Sequence, residues 1–435
     1  MKGKKELLRL LIDTATRPRR EDKELRAYKN LFIRTAISSV KKWEYDASKI
    51  QNAPFQVLDF FCGCGGMSAG FASVASLVPL FEIVGGCDIN SDACAAFTEN
   101  YEVPAIADDV VALATDSKKL GNFLSKLPNY NKTRQTIVIG CAPCQGFSSH
   151  RKKEWNTKDE RNSLVESFAR LAVKLNPVCV VMENVPELLG RKYWSHFVKA
   201  KDVFESAGFI VKAQIYNAAA FGVPQERFRA VVIAMKKDFE MFEGVLGEDE
   251  FLTVRDAIGS LPAVRAGQPH RHDSLHRSAG HKESTLETIR AIPKNGGSRP
   301  RGVGPKCLDK IKGFSDVYGR LFWDRPAITL THYSRNPASG RFVHPEQDRG
   351  LTLREAALLQ SFPSRYRFAG GFDAMFKQVG EAVPPCLAAA VASNVAIEIL
   401  SPASRHARSE FHITKPVSSS YSSVIAGLKV SRRVA

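Results

Sequence analysis

Between residues 56 and 235 the chain alternates short apolar, β-branched runs with amphipathic stretches of helical period. The runs Gln56–Phe60, Glu82–Cys87, Thr136–Ile139, Val178–Met182, Ile210–Ile215 and Arg229–Met235 predict six strands. Segments between them, such as Asn162–Lys174, predict helices. This alternation predicts an α/β fold of βαβ units, with a mostly parallel sheet and helices on both faces. From Thr253 to Ser339 the periodicity fades and Gly, Pro, Arg and His dominate, which predicts a smaller, loop-rich module. Residues 351–363 return to a helical pattern that stops at Pro363. At the N-terminal side, Leu7, Leu8, Leu10 and Leu11, a charged stretch and then Leu31 to Val40 predict a helical extension. The Ser- and Arg-rich stretch after Pro402 predicts a flexible tail. The expected organisation is an extension over 1–50, a main domain over 51–250 completed by 351–402, a module over 251–350 and a tail over 403–435.

Composition narrows the class. With 435 residues, 44% hydrophobic and 25% charged, the chain has enough apolar material for a large core and no case for bulk disorder. No apolar run reaches membrane-spanning length, and the basic start lacks the apolar core of a secretory signal. Nine cysteines, an odd number without an export signal, are expected to be reduced thiols in a cytoplasmic setting. The net charge of +17 is unevenly placed. Residues 1–50 hold 14 Lys and Arg against 7 Asp and Glu, and 251–350 hold 17 Lys and Arg with six of the ten histidines. Together with the basic tail they flank a nearly neutral remainder, a pattern suited to a polyanionic partner rather than a membrane.

Several strand ends carry candidate chemistry. Val57-Leu58-Asp59-Phe60-Phe61 opens into Cys62-Gly63-Cys64-Gly65-Gly66, where glycines let the backbone approach a ligand at the mouth of a helix. The spacing misses the dinucleotide fingerprint: Ser68 stands at the third glycine position and Gly70 follows two residues late. A second strand ends at Asp88, suited to the hydroxyls of a ribose, and Asp108 and Asp109 follow a short third apolar segment. The series fits an adenosine-type ligand without a pyrophosphate. Thr136–Ile139 breaks into Gly140-Cys141-Ala142-Pro143-Cys144-Gln145, which places Cys144 past a strand end as a candidate nucleophile, against the common alternative of a packed cysteine. Glu183 follows Val178–Met182 at the same sheet edge, against the alternative of a surface acid. Arg227 and Arg229, two apart on an extended segment, point the same way and suit a carbonyl oxygen, a phosphate or a carboxylate.

In order and content these elements resemble the DNA (cytosine-5) methyltransferase family. Asp59–Gly66 is similar to its methyl-donor loop, Pro143-Cys144-Gln145 to its catalytic Pro-Cys-Gln, and Glu183-Asn184-Val185 to its Glu-Asn-Val. Gln225 to Arg229 resembles its Gln-x-Arg-x-Arg, Arg325-Pro326 with Thr329-Leu330-Thr331 the motif after its target-recognition region, and Gln378 to Pro385 its last motif. Ala142 and Glu381 depart from the pattern; Glu381 stands where Asn is usual. The resemblance covers about residues 55–400. It implies a Rossmann-like class I methyltransferase domain with a smaller target-recognition domain, acting on duplex DNA with S-adenosylmethionine and no metal. It also implies a monomer, nucleoid-associated, with a restriction endonuclease or other defence proteins as companions. The implied catalytic residues are Cys144, Glu183, Arg227 and Arg229. The implied donor-binding residues are Phe61, Gly63, Cys64, Gly65, Asp88, Ile89, Asp109, Val110 and Leu164.

Other readings explain less. A redox pair Cys141-x-x-Cys144 leaves Glu183 and Arg229 without a role. A zinc deaminase needs a second cysteine that Gln145-Gly146-Phe147 does not supply. The histidines 270, 272, 276 and 281 lie in an Arg-rich stretch and fit DNA contacts or plain surface better than a metal. A catalytically weak DNA-binding relative and an RNA cytosine methyltransferase remain as alternatives; the long basic insert favours duplex DNA.

Overall fold

The computed structural model describes residues 22–142, 164–309 and 316–402, with 413, 414 and 416. Its elements run α1 (Asp22–Lys42), β1 (Phe55–Phe60), α2 (Gly66–Leu77), β2 (Phe81–Asp88), α3 (Ser91–Tyr101) and β3 (Ala105–Ala107). Then come α4 (Val110–Thr115), α5 (Ser117–Ser125), β4 (Gln135–Gly140), α6 (Leu164–Lys174), β5 (Cys179–Asn184), α7 (Trp194–Ser206), β6 (Ile210–Asn217) and β7 (Phe228–Met235). The chain continues through α8 (Val254–Ile258), α9 (Glu283–Arg290), α10 (Leu353–Leu359), α11 (Phe372–Glu381) and α12 (Pro385–Leu400).

Seven strands form one sheet in the order β3-β2-β1-β4-β5-β7-β6. All neighbours are parallel except β7, which is antiparallel to both β5 and β6. The six expected strands are present. The seventh, β3, has only three residues and too little apolar pattern to stand out. Alternation along each strand feeds two layers. Val57, Ile83, Ile137, Ile139 and Val181 face one core with α2 and α12. Leu58, Phe60, Val84, Val138, Val180 and Met182 face another with α4, α5, α6 and α7. Burial on both faces explains why these strands read as near-continuous apolar runs.

The N-terminal helix differs from an appended extension. Its Phe32, Ile33, Ala36, Ile37 and Val40 are buried in the first core. Ser73 Oγ of α2 donates to Ala36 O at 2.5 Å, and Lys29 Nζ pairs with Glu398 of α12 at 2.5 Å. Helix α12 is apolar and almost wholly buried between them. No single described helix is long and apolar enough to cross a membrane.

Among the described residues, 251–350 contain little regular structure; Ile289, Ile292, Val317, Tyr318 and Val343 form a small apolar cluster of their own, while Val254, Ile258, Leu321, Trp323, Ala327, Leu330 and Phe342 join the first core. Buried arginines supply further cohesion. Arg320 donates to the carbonyls of Ile289, Ile292, His344 and Gln347 and to Asp348. Arg341 donates to the carbonyls of Gly296 and Arg320, and Arg349 pairs with buried Glu355 at 2.7 Å. Part of the basic excess of this stretch is therefore internal scaffolding, committed where a carbonyl cluster needs a charged donor.

Candidate active site

The sheet register brings the strand ends into line. Phe60 of β1 is level with Cys87 of β2 and with Gly140 of β4, and Gly140 is level with Met182 of β5. The next residues, Phe61, Asp88, Cys141 and Glu183, therefore share one carboxyl edge, the usual ligand side of an open α/β sheet. Strand β7 enters this edge from the other direction: Ala230 pairs with Asn184, so Arg229 stands just beyond it.

At β1 the chain turns sharply. Phe61 has φ +54°, Gly63 +52° and Gly65 +93°, and Gly65 precedes α2. A Cβ on Gly65 would stand 2.3 Å from the Tyr101 ring, so only glycine fits. Gly63 has open space where a Cβ would be, and its N–H donates to Asp88 Oδ2 at 2.9 Å. Asp88 Oδ1 accepts from Asn90 N at 2.9 Å, so each oxygen keeps accepting capacity. Ile89 beside it is 80% exposed, an apolar platform at the sheet edge. Asp109 caps α4 by accepting from Val111 N at 2.9 Å. An open turn, a carboxylate and an exposed apolar side chain suit a nucleoside. Cys64 and Val110, both buried, turn their side chains into the core and can meet a ligand only through backbone. Leu164 is half-buried at the start of α6.

Glu183 is buried, with Arg229 Nε 2.8 Å from its Oε1. Burial raises the Glu183 pKa above the ordinary range; the charges of Arg229 and Arg227 oppose this without cancelling it. Arg227 is buried and donates to Leu330 O at 2.7 Å and to Gly380 O and Ala382 O at 3.1 Å. Its guanidinium thus ties the segment before β7 to the chain at Leu330 and at Gly380 and Ala382. Gln225 makes a similar knot, donating to Gln360 and accepting from Leu330 N.

Pro143, Cys144 and Gln145 lie outside the described residues. The backbone leading to them is fixed: Cys141 N donates to Phe60 O at 3.3 Å, and Asn184 Nδ2 donates to Ala142 O at 3.2 Å. Glu381 sits at the same cleft, 3.6 Å from His332 Nδ1. Partial desolvation and then the Asp88 charge raise its pKa, against Lys377 and Arg227. Among the histidines of 251–350, His276 bonds Thr352 and Pro262 O, and His281 accepts from Gly350 N. Their sequence clustering thus reflects local scaffolding.

Sequence reading missed Tyr101 and Tyr366, which donate at 2.5 Å to Gly65 O and Cys64 O from behind the turn. Nothing in their spacing marks them, because the contacts are purely tertiary. Asp59 lies below the turn. It is fully buried, Ser68 Oγ donates to its Oδ2 at 2.6 Å, its Oδ1 has no hydrogen bond among the described residues, and burial pushes its pKa up to about 8.

Comparison with known proteins adds to this geometry. Residues 55–396 match the family described as C-5 cytosine-specific DNA methylase. The chain is 35% identical to the Type II methyltransferase M1.HphI of Haemophilus parahaemolyticus, over 78% of this chain and 86% of that one. It is 32% identical to the Type II methylase M.HgiDII of Herpetosiphon aurantiacus, over 78% and 94%. A candidate DNA modification methyltransferase encoded within a prophage (E. coli) shares the fold, with TM-score 0.59 and 22% identity over 79% of this chain and 99% of that one.

Proposed function

The chain belongs to the C-5 cytosine-specific DNA methylases, and we propose that it methylates carbon 5 of a cytosine within a specific duplex DNA site, protecting host DNA. The carrying observation is the buried Glu183 and Arg229 pair at the sheet edge, one strand from the backbone that leads into Cys144 and is held there by Asn184.

S-adenosylmethionine, when bound, supplies an electrophilic methyl group. The nucleoside part of that donor suits Phe61, Gly63, Asp88, Ile89 and Asp109, with backbone from Cys64, Gly65 and Val110 and an edge from Leu164. Carbon 5 of cytosine is a weak nucleophile, so the chain's work is to make it a stronger one. The Cys144 thiolate bonds to carbon 6, and the electron pair of the 5,6 double bond becomes available at carbon 5. Glu183, whose pKa burial raises, donates a proton to ring nitrogen 3 and offsets the charge that develops. Arg229 holds the ring oxygen, and Arg227 anchors the segment that leads to it. After methyl transfer, loss of the carbon 5 proton lets the bond between carbon 6 and Cys144 break and the thiolate leave. The base must leave the stack first, at a cost of a few kcal/mol. The basic residues of 251–350 that are not internal clamps would meet that cost through phosphate and base contacts. A companion endonuclease fits the Type II systems of the relatives.

A duplex carrying 5-fluorocytosine in the target site tests this reading, because fluorine at carbon 5 blocks the elimination. With methyl donor present it should trap a covalent adduct on Cys144. Wild type that forms no adduct, or Cys144→Ala that forms as much, would remove it.

A further inference from the structure

The family match begins at residue 55, yet the chain before it reaches the donor loop. Helix α1 ends at Trp43, whose N–H donates to Ser39 O and Val40 O at 3.2 Å and whose φ is +46°. A bulky side chain in the left-handed region is costly, so tertiary contacts must hold it there. The indole meets two rings edge-on: Tyr366 at 5.1 Å between centroids and Tyr101 at 5.9 Å. These tyrosines donate to Cys64 O and Gly65 O, and their hydroxyl oxygens are 2.9 Å apart. Tyr45 adds an edge contact to Tyr101 at 5.9 Å. A carbonyl held from behind fixes its whole peptide plane, and so the direction of the following N–H.

We propose that Trp43 is a positioning residue for the methyl donor: it wedges the Tyr101 and Tyr366 hydroxyls onto the donor-loop carbonyls and holds that loop in its binding conformation. The inference rests on the donor-site reading of residues 59–66. The indole lies behind the loop, on the core side. Its loss frees two rings and leaves the loop to be ordered when the donor binds, which costs affinity for the donor and not for DNA.

The test is calorimetric titration of the full chain with S-adenosylhomocysteine, alongside donor KM, kcat and duplex Kd. Trp43→Ala should raise the dissociation constant and the donor KM about tenfold, a loss of about 1.4 kcal/mol. Its kcat at saturating donor and its DNA affinity should stay within about twofold, and Trp43→Phe should recover most of the loss. A folded Trp43→Ala with lower Tm but wild-type donor affinity overturns the proposal. If Trp43→Ala does not fold, Tyr366→Phe decides, since it removes only a hydroxyl. About fivefold weaker donor binding supports the brace, and wild-type binding overturns it. Wild type that binds no S-adenosylhomocysteine would sink the donor-site reading itself, a result distinct from either.

Discussion

Arg229 Nε lies 2.8 Å from Glu183 Oε1, yet the Glu183 carboxyl titrates above the ordinary carboxylate range. Both side chains are largely buried, and desolvation of the anion outweighs the nearby cation. A carboxyl in this state can hand a proton to a ring nitrogen and take it back.

Glu183→Gln keeps the shape and removes the proton. Methyl transfer in single turnover should fall on the order of 10²- to 10⁴-fold with duplex affinity retained. The protonated form is present below the raised pKa and lost above it, so wild type should lose kcat on the alkaline side. That limb should be absent in the residual activity of Glu183→Gln.

Arg229→Ala removes the larger of the two charges that lower the Glu183 pKa. The pKa should rise further and the alkaline limb move to higher pH, while kcat drops on the order of 10²-fold through loss of the ring-oxygen contact. A pH-rate profile of the variant checks both; a limb moving to lower pH would contradict the assignment.

Asn184→Ala cuts the bond to Ala142 O, two residues before Cys144. Loss of one such hydrogen bond is worth about 1 kcal/mol, so adduct formation with the 5-fluorocytosine duplex should slow about fivefold. Donor affinity should be unchanged, which separates this variant from Trp43→Ala.

Asp59 is a pH liability under the donor loop. Its folded pKa of about 8 lies above that of an unfolded aspartate, so the unfolded chain ionises first. Stability should be greatest below about pH 4 for this group and fall as pH rises toward 8, by several kcal/mol at most, at about 1.4 kcal/mol per unit. Asp59→Asn should flatten Tm against pH between 5 and 8, read by thermal denaturation.

Much of the sheet was legible because buried parallel strands carry a dense local signal. Val57, Ile137 and Val181 announce themselves; Ala105-Ile106-Ala107 is too short to do so. At the site, Glu183 and Arg229 were readable because each ends or begins a strand at the ligand edge. The partners of Arg227 were not legible, because spacing gives a direction along a strand but not the carbonyls of Leu330, Gly380 and Ala382 that meet it. Trp43, Tyr101 and Tyr366 were invisible for a related reason: their contacts join residues far apart in the chain. Composition also overstated the free positive charge of 251–350, since burial of Arg320, Arg341 and Arg349 is a tertiary fact.

The stretch between β7 and α10 is pinned where it leaves the sheet. Val254 N donates to Arg325 O and Arg255 N to Trp323 O, both at 2.9 Å, and Gln225 bridges to Ala327 beside them. The residues that follow are tied to more than these ends: Leu353 N of α10 donates to Arg277 O, Arg354 pairs with Asp273, and Arg320 binds Asp348. Changes in this stretch are therefore compatible with the fold only where they spare those ties as well as the paired ends.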